Sequence, residues 1–326
     1  MVFNRIIKIF LILMFISPTT FAIERKYNVG YMVLDLRYDQ NGLQKKLTVA
    51  VWYPTNASPK PFQYGGPAWG NVALNANPAG DSGKFPFLAF SHGYGGTGLG
   101  AQFFTEEIAS RGWIVACPDH NDDAKKITHT APDERNKYLY RPQELETVIR
   151  VLTTSSPFSS LIDTNRMAAG GHSFGGFTSM ALCGAIPEFH DKRIRAILMF
   201  STGAAAYLFT DEELASVEIP SMLYLGKRER NQKRGEATMK ELSGRIYKNM
   251  SDPKYFLEVR GANHFSFNIR LSGGAGTKML SGTPRQFEVI NKYSIAFLEK
   301  YVAGRPGQDE ILDNKDRMIT KQIISK

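Results

Sequence analysis

The fold of this chain is decided by one stretch, Gly171-His172-Ser173-Phe174-Gly175-Gly176. The stretch follows a short apolar run, 167–170, and precedes a segment with a helical pattern, 176–183. In that context the spacing Gly-x-Ser-x-Gly predicts a sharp turn from a strand into a helix, with glycines where larger side chains would clash. The turn projects the Ser173 hydroxyl, and the helix N-terminus favours negative charge beside it. Ser173 is therefore the candidate nucleophile, and the Phe174 amide is a candidate oxyanion donor.

Segments typical of strands alternate with segments typical of helices along most of the chain. The strand-like runs are 29–38, 47–53, 85–91, 113–116, 167–170, 194–200, 221–225 and 255–259. The helix-like segments are 101–111, 142–152, 176–183, 231–249 and 287–301. This alternation predicts an α/β protein with a mostly parallel central sheet and helices on both faces, which binds ligands at the carboxyl ends of its strands. Combined with the turn at Ser173, it predicts the α/β-hydrolase fold.

A second glycine-rich segment, Ser91-His92-Gly93-Tyr94-Gly95-Gly96, follows the predicted strand 85–91. In the α/β-hydrolase fold the loop after this strand supplies a second oxyanion donor, since glycines let the backbone approach the substrate closely. The Tyr94 amide is the candidate for this donor, and the Tyr94 ring is a candidate wall of the acyl pocket. His92 is expected to orient the loop by hydrogen bonds.

The candidate general base is His264. The fold requires the order nucleophile, acid, histidine along the chain. The other five histidines do not meet this requirement, because they precede Ser173, lie inside its turn or follow it too closely: His92, His120, His129, His172 and His190. His264 comes just after the last predicted strand, in a loop from which an imidazole reaches the nucleophile.

The acid that orients the imidazole is expected at the end of a strand between Ser173 and His264. The strand 221–225 leads into Gly226, and Glu229 follows where a carboxylate is needed. The strand 194–200 is followed by Ser201, which is not a carboxylate, and Asp211 lies further along. Glu229 is the first candidate and Asp211 the second, while a surface ion pair with Arg228 or Arg230 is the alternative for Glu229.

The N-terminus has the pattern of an export signal over residues 1–22. Arg5 and Lys8 precede the apolar run 9–16, and small residues permit cleavage after Ala22. This run is much shorter than the roughly 20 residues of a membrane span. The pattern predicts a periplasmic or secreted protein without stable membrane insertion, the alternative being an N-terminal anchor or a buried helix.

The remaining 304 residues are expected to form one catalytic domain, 23–303, followed by a charged, flexible tail, 304–326. No stretch between these limits has the composition of a linker. Two segments, 54–83 and 121–140, are long enough to shape a pocket. In the first, Phe62, Tyr64 and Trp69 either line the pocket mouth or hold the segment down.

Charge and cysteine content exclude several classes of protein. The formal net charge of +9 is spread along the chain, with its densest group at 227–234. It indicates either a solvated basic surface or attraction to anionic envelope surfaces or substrates, and no nucleic-acid-binding motif is present. The two cysteines, Cys117 and Cys183, form either a disulfide or two inert buried thiols. No cysteine or histidine spacing predicts a metal site, and no cofactor motif is found. The oligomeric state is left open.

In order along the chain, these motifs resemble the bacterial serine hydrolases related to dienelactone hydrolase, which are similar to platelet-activating-factor acetylhydrolases. The likeness is carried by 29–31 (VGY), 51–55 (VWYPT), 85–86 (FP), 91–96 (SHGYGG), 118–120 (PDH), 141–142 (RP), 171–176 (GHSFGG) and 263–265 (NHF). It implies hydrolysis of an ester bond without a cofactor, through an acyl-Ser173 intermediate. It also implies His264 as base and the amides of Tyr94 and Phe174 as oxyanion donors.

Two departures from the family narrow what the resemblance implies. Dienelactone hydrolases use a cysteine nucleophile, whereas this chain has Ser173, and the family acid is normally Asp rather than Glu229. A small ester or lipid-like molecule is the expected substrate. No large apolar lid is evident in the sequence, which favours small or partly soluble substrates. The alternatives are an amide, peptide or polyester hydrolase with the same triad, and a non-catalytic binding module on this fold.

Overall fold

The computed structural model describes residues 25–40, 42–80, 83–122 and 132–326. The strands within these residues are β1 (Asn28–Gln40), β2 (Leu43–Thr55), β3 (Lys60–Gly65), β4 (Ala68–Leu74), β5 (Phe85–Ser91), β6 (Ile114–Pro118), β7 (Ile162–His172), β8 (Ile194–Phe200), β9 (Ser221–Gly226), β10 (Lys233–Arg234), β11 (Ala237–Thr238), β12 (Lys254–Val259) and β13 (Ile319–Ser325). The α-helices are α1 (Gln102–Ala109), α2 (Tyr140–Thr154), α3 (Gly175–Met180), α4 (Asp211–Ala215), α5 (Met239–Asn249), α6 (Pro284–Tyr301) and α7 (Asp309–Asp313).

Eleven of the described strands form one sheet, in the order β13-β12-β9-β8-β7-β5-β6-β2-β1-β4-β3. The six strands from β12 to β6 are mutually parallel. The pairs β13–β12, β6–β2, β2–β1 and β4–β3 are antiparallel. The prediction of a mostly parallel α/β sheet is therefore confirmed, with antiparallel strands added at both edges.

Helices cover both faces of this sheet because its strands are apolar on both sides. Along β5, Phe87 and Ala89 belong to one buried core, while Leu88 and Phe90 belong to the other. The first core is completed mainly by α2, α3 and α5, and the second by α1 and α6. Such two-sided burial is typical of parallel strands.

The register of neighbouring strands brings the two glycine-rich motifs together. β5 and β7 are adjacent and parallel, and Ser91 at the end of β5 pairs with Gly171 near the end of β7. The loop 91–96 and the turn 171–176 therefore leave the sheet at the same edge. This edge is the carboxyl end of the parallel strands, where α/β folds bind their ligands.

The expectation of a flexible tail over 304–326 is wrong. β13 pairs antiparallel with β12 through most of its length and forms one edge of the sheet, and α7 precedes it. Leu312 and Ile319 of this segment are fully buried in the core. The many charges of the segment lie around these apolar anchors and hide them from a reading based on composition.

Part of the long segment 54–83 is also regular, since it contains the hairpin β3–β4. Tyr64 and Phe62 pack against the buried ring of Tyr31, with ring centroids 5.1 and 5.4 Å from it. The Trp52 indole N–H donates to the Tyr64 hydroxyl at 2.8 Å. These two aromatic side chains therefore hold the hairpin down, whereas Trp69 is exposed.

The predicted helix 231–249 begins later than expected. α5 starts at Met239, with Thr238 as its N-cap and Glu241 completing a capping box. The residues before it form the two-stranded ribbon β10–β11. The helical pattern of Met239, Leu242 and Ile246 was thus assigned correctly, and the polar segment before it was not.

Cys117 and Cys183 are free, buried thiols. Cys117 belongs to the core on one face of the sheet and Cys183 to the core on the other, so the sheet separates them. The predicted export signal, 1–22, lies outside the described residues, as do residues 123–131 of the predicted pocket loop. Across the described part of the chain, no helix has both the length and the apolarity needed to cross a bilayer.

Candidate active site

Ser173 sits on a turn whose backbone only small residues permit. Its φ is +53°, in the left-handed region, and its amide donates to the Phe200 carbonyl at 2.8 Å. A Cβ atom on Gly171 would lie 2.3 Å from the Gly175 carbonyl carbon, and one on Gly175 would lie 1.9 Å from the Ser91 carbonyl oxygen. The close approach of β5, β7 and α3 therefore requires glycine at both positions and presents the Ser173 side chain at the sheet edge.

The structure brings Ser173, His264 and Glu229 into one hydrogen-bonded line. The His264 Nε2 atom lies 2.9 Å from Ser173 Oγ, and its Nδ1 atom lies 3.0 Å from Glu229 Oε2. His264 begins a short 3-10 turn after β12, and the Asn263 side chain caps this turn by accepting the Phe265 amide at 2.8 Å. The cap fixes the backbone from which the imidazole projects.

Glu229 reaches His264 from a turn that follows β9. Its side chain is fully buried, and its Oε1 atom accepts the Gly226 amide at 2.7 Å. Asp211, the second acid candidate, lies elsewhere at the start of α4, where its carboxylate is exposed and accepts Arg245 Nε at 2.7 Å. The structure thus places Glu229, and not Asp211, beside His264.

Ser201 is a site residue that sequence reasoning missed. It follows β8, and its hydroxyl lies 2.8 and 2.7 Å from the two Glu229 carboxylate oxygens and 2.8 Å from His264 Nδ1. Its φ of +51° is in the left-handed region, as at Ser173. The available signal was its position at the carboxyl end of a central strand, which a search for carboxylates passes over.

His172 supports the loop that carries His264. Its Nε2–H donates to the His264 carbonyl at 2.9 Å, so that its Nδ1 accepts the Asn268 side-chain amide at 3.1 Å. Burial, assisted by the neighbouring His264 ring, lowers the pKa of His172 to about 3. His172 is therefore neutral at ordinary pH, and its imidazole acts as a fixed hydrogen-bond bridge.

The loop after β5 carries Tyr94 close to Phe174. The two rings meet edge to face with centroids 5.6 Å apart. His92 turns its Nδ1–H to the Gly93 carbonyl at 2.6 Å and accepts the His120 amide on Nε2 at 3.0 Å. His92 therefore orients this loop, as its place in the sequence suggested. Burial, followed by the charge of Arg141, holds the pKa of His92 well below its usual value.

A buried ion pair, Arg141–Asp122, lies beneath the same loop. Arg141 donates to both carboxylate oxygens of Asp122, from Nε at 2.8 Å and from Nη2 at 2.6 Å. Its Nη1 atom donates to the His92 carbonyl at 2.8 Å, and Asp122 accepts the Gly95 amide at 2.8 Å. Burial alone would raise the pKa of Asp122, but the hydrogen bonds and charge of Arg141 hold it below its usual range.

A cavity of about 590 Å³ opens beside Ser173. Both oxyanion candidates, Tyr94 and Phe174, line it together with Ser173, His264 and Glu229. This volume is within the usual range for a small-molecule site.

An α/β-hydrolase of the serine hydrolase class is defined by this fold, by the turn at Ser173 and by the hydrogen bonds that join Ser173, His264 and Glu229. A family model described as PET hydrolase-like matches residues 64–322. The chain belongs to this family.

Sequence comparison finds relatives at low identity. Cutinase 2 of Thermobifida cellulosilytica is 26% identical over 217 residues, covering 66% of this chain and 68% of that protein. Cutinase cut1 of Thermobifida fusca is also 26% identical, but the match spans 56% of its length. The platelet-activating factor acetylhydrolase of Cavia porcellus is 24% identical over 67% of this chain and 58% of its own length.

Structure comparison supports the same fold. A ferulic acid esterase from Streptomyces cinnamoneus superposes with a TM-score of 0.71, covering 95% of this chain and 98% of that one, at 21% identity. At this identity the similarity concerns the fold. Family and relatives together support an ester hydrolase, which agrees with the resemblance carried by the motifs.

Proposed function

We propose that this protein is a serine carboxylic ester hydrolase acting on a small ester or lipid-like substrate. In this proposal Ser173 is the nucleophile, His264 the general base and Glu229 the acid that orients it. The observation that carries the proposal is the line of two hydrogen bonds, 2.9 Å from Ser173 Oγ to His264 Nε2 and 3.0 Å from His264 Nδ1 to Glu229 Oε2.

Hydrolysis proceeds in two halves. His264 Nε2 takes the Ser173 proton as Oγ attacks the ester carbonyl carbon, and the imidazolium is stabilised by the Glu229 carboxylate. The tetrahedral intermediate collapses with loss of the alcohol, which receives the proton from His264 and leaves an acyl-Ser173. Water, deprotonated by His264, attacks the acyl carbon, and Ser173 Oγ leaves with that proton. The acid product then dissociates.

The backbone amides of Tyr94 and Phe174 are the proposed oxyanion donors. Phe174 directly follows the nucleophile and is the N-cap residue of α3. Tyr94 lies at the tip of the loop after β5, which is adjacent to the turn at Ser173. Two fixed donors at this place stabilise the negative charge that develops on the carbonyl oxygen in the transition state.

Hydrolysis of p-nitrophenyl esters of increasing acyl length tests the proposal. We expect activity in the wild type, loss of it in Ser173→Ala, and a decrease of about 10³–10⁴-fold in kcat in Glu229→Gln. Asp211→Asn is the matched carboxylate control and should stay within about twofold of wild type, because the exposed Asp211 carboxylate bonds to Arg245 and Asn249 and does not line the cavity. If the wild type is no faster than Ser173→Ala at every acyl length tested, the proposed esterase activity is refuted.

A fluorophosphonate probe separates an enzyme from a binding module on the same fold. Covalent labelling that maps to Ser173 is expected, because the probe traps an activated serine. Ser179→Ala is a suitable control, since the Ser179 hydroxyl is buried in α3 and, among the described residues, bonds only to the Gly175 carbonyl at 3.0 Å. An unlabelled, correctly folded wild type would support the binding module.

A polyester hydrolase is the second candidate, favoured by the match to the PET hydrolase-like family and by the cutinase relatives. The same triad would cleave the ester bonds of a polymer. Release of soluble acids from an aliphatic and an aromatic polyester film, with Ser173→Ala as the blank, distinguishes this activity from hydrolysis of soluble esters alone.

The proposal includes export to the periplasm or the medium. It is supported by Arg5 and Lys8 ahead of the apolar run 9–16 and by the cleavage pattern at Ala22. Cell fractionation followed by N-terminal sequencing should find a mature chain that begins at Ile23. An intact N-terminus retained in the cell would contradict it.

A further inference from the structure

Three cationic side chains lie along the wall of the cavity that contains Ser173: Lys233, Arg234 and Arg270. Lys233 and Arg234 form β10 and are exposed, on the segment that follows Glu229. Arg270 is half-buried and comes shortly after the 3-10 turn that begins at His264. The two segments that carry Glu229 and His264 therefore also carry positive charge to the same cavity.

None of these three cations forms an ion pair with a carboxylate within the described residues, although Lys233 is close enough to the Glu241 carboxylate to interact with its charge. Exposed arginines elsewhere, such as Arg195, also lack a carboxylate partner, but Arg270 differs from the other half-buried arginines of the described chain. Each of those has a carboxylate within 4.0 Å, and they are Arg135, Arg166, Arg230, Arg245 and Arg285. Among the described residues that line the cavity, Glu229 is the single carboxylate, and it is committed to His264, Ser201 and the Gly226 amide.

The carboxylates nearest in sequence to Lys233 are also engaged or outside the cavity. The Glu241 carboxylate accepts the Thr238 amide and hydroxyl at 2.7 and 2.8 Å, and so caps α5. Glu236 lies in the turn between β10 and β11, exposed, and does not line the cavity. The cavity wall thus carries an excess of positive charge.

The remaining lining is largely apolar. Tyr94, Phe174, Met239, Phe265 and Leu280 contribute side chains to it. An apolar pocket with charge of one sign on its wall matches a ligand that has an apolar body and an ionised group of the opposite sign.

We propose that the preferred substrates are esters that also carry an anionic group, a carboxylate or a phosphate. The cations Lys233, Arg234 and Arg270 bind that group while the ester carbonyl lies against Ser173. This inference rests on the proposed function and specifies the substrate class of the same site.

Electrostatic attraction predicts how selectivity will show in the kinetics. Positive charge on the cavity wall raises the local concentration of an anionic substrate and its rate of association. We therefore expect kcat/KM to be higher for the anionic substrate than for its neutral partner. Two of the cations are exposed, so salt screens them over a Debye length of about 8 Å at 0.15 M ionic strength. Selectivity for the anion should therefore fall as salt is added.

The experiment compares two pairs of substrates that differ by one anionic group. p-Nitrophenyl hydrogen adipate is matched to p-nitrophenyl hexanoate, in which a methyl group replaces the carboxylate. Dihexanoylglycerol phosphate is matched to dihexanoylglycerol. The ratio of kcat/KM within each pair measures selectivity for the carboxylate and for the phosphate separately, with the rate of Ser173→Ala subtracted.

Two triple variants isolate the contribution of the cavity wall. In the first, Lys233, Arg234 and Arg270 become Gln. In the control, three exposed cations that do not line the cavity, Lys60, Lys192 and Arg195, become Gln. Both variants lower the net charge equally, so a difference between them cannot come from net charge.

We expect the wild type to favour at least one anionic substrate over its neutral partner by about tenfold at low salt, and by less in about 0.5 M NaCl. The cavity variant should lower that ratio at least about fivefold, and the control should retain it. Ratios that are equal in wild type and cavity variant for both pairs would overturn the inference while leaving the esterase intact. No hydrolysis of any of the four substrates above Ser173→Ala would overturn the proposed function as well.

Discussion

The Ser201 Oγ atom lies 2.7 Å from Glu229 Oε2 and 2.8 Å from His264 Nδ1. A serine hydroxyl has one proton to donate and lone pairs that accept. It therefore donates its proton to the Glu229 carboxylate and accepts the Nδ1–H of His264. That N–H is shared between the Ser201 hydroxyl and the Glu229 carboxylate. Ser201 fixes the end of a long glutamate side chain at the distance that the imidazole requires.

Ser201→Ala should lower kcat by about ten- to a hundredfold with little change in KM. The reason is the loss of one hydrogen bond to a charged group, worth about 1.5–3 kcal/mol, whose effect is felt mainly when the imidazolium forms. Steady-state kinetics on the best p-nitrophenyl ester, with kcat divided by the titrated concentration of active sites, measure it.

Ser243→Ala is the matched control. The Ser243 hydroxyl is equally buried but has no hydrogen-bond partner among the described residues. Its removal should change neither kcat nor stability appreciably. If Ser201→Ala behaves like this control, Ser201 does not position Glu229.

A second prediction concerns the Arg141–Asp122 pair, which holds the backbone on both sides of Tyr94 through the His92 carbonyl and the Gly95 amide. The Arg141 guanidinium also lies 5.0 Å from the centre of the Phe174 ring. Arg141→Lys keeps the charge but loses the planar two-pronged contact with Asp122. We expect kcat per active site to fall at least about tenfold while KM stays within about threefold, because oxyanion donors act in the transition state.

Arg141→Met measures what the ion pair contributes to stability, and Arg141→Lys separates that contribution from positioning. Leaving Asp122 as an unpaired buried charge should cost about 3–5 kcal/mol of stability, measurable by urea denaturation. A purely structural role for Arg141 would lower the number of titratable active sites in Arg141→Lys and leave kcat per site at the wild-type value. That result would contradict the positioning role.

The turn at Ser173 makes a third prediction. Gly175→Ala should lower activity at least about a hundredfold or prevent folding, because its Cβ would lie 1.9 Å from the Ser91 carbonyl oxygen and force β5 away from the turn. Gly244→Ala is the control: Gly244 is in α5, and no atom of the described residues beyond its chain neighbours and its own helix backbone lies within 4 Å of its Cβ position. Alanine there should raise stability by roughly 0.5–1 kcal/mol. Wild-type kinetics in Gly175→Ala would show that the turn tolerates a larger residue.

The parallel core and the main site residues could be predicted because each depends on local sequence. The strand 85–91 and the turn 171–176 have recognisable patterns, and chain order narrows six histidines to His264. β13 could not be found in this way, because Lys321 and Gln322 interrupt its apolar residues and its pairing with β12 is a tertiary contact.

The roles of Ser201 and Arg141 were not predicted for a related reason, although Arg141 belongs to one of the motifs that carry the resemblance. Neither a single serine after a strand nor an arginine at the start of a helix signals a role, since both residues are usually exposed. Arg141 is fully buried here only because Asp122 and the His92 carbonyl, both distant in sequence, satisfy it. Such long-range partners have no periodic signature, so the network becomes visible only in three dimensions.

The buried His172 makes the last prediction, which concerns pH. Its pKa is about 3 in the folded protein because burial disfavours the charged imidazole, and about 6.5 in the unfolded chain. Between these values the unfolded state binds the extra proton, so the stabilising contribution is complete above about pH 6.5 and is lost as pH falls toward 3. For this one residue the free energy of unfolding should fall by about 2 kcal/mol between pH 7 and pH 5. In His172→Gln the glutamine amide can still donate to the His264 carbonyl but cannot take up that proton. The free energy of unfolding of this variant should therefore fall between pH 7 and pH 5 by about 2 kcal/mol less than that of the wild type. Urea denaturation of wild type, His172→Gln and the non-titrating control Gly244→Ala at both pH values provides the comparison, and parallel pH dependences in all three would show that His172 takes up its proton in the folded protein.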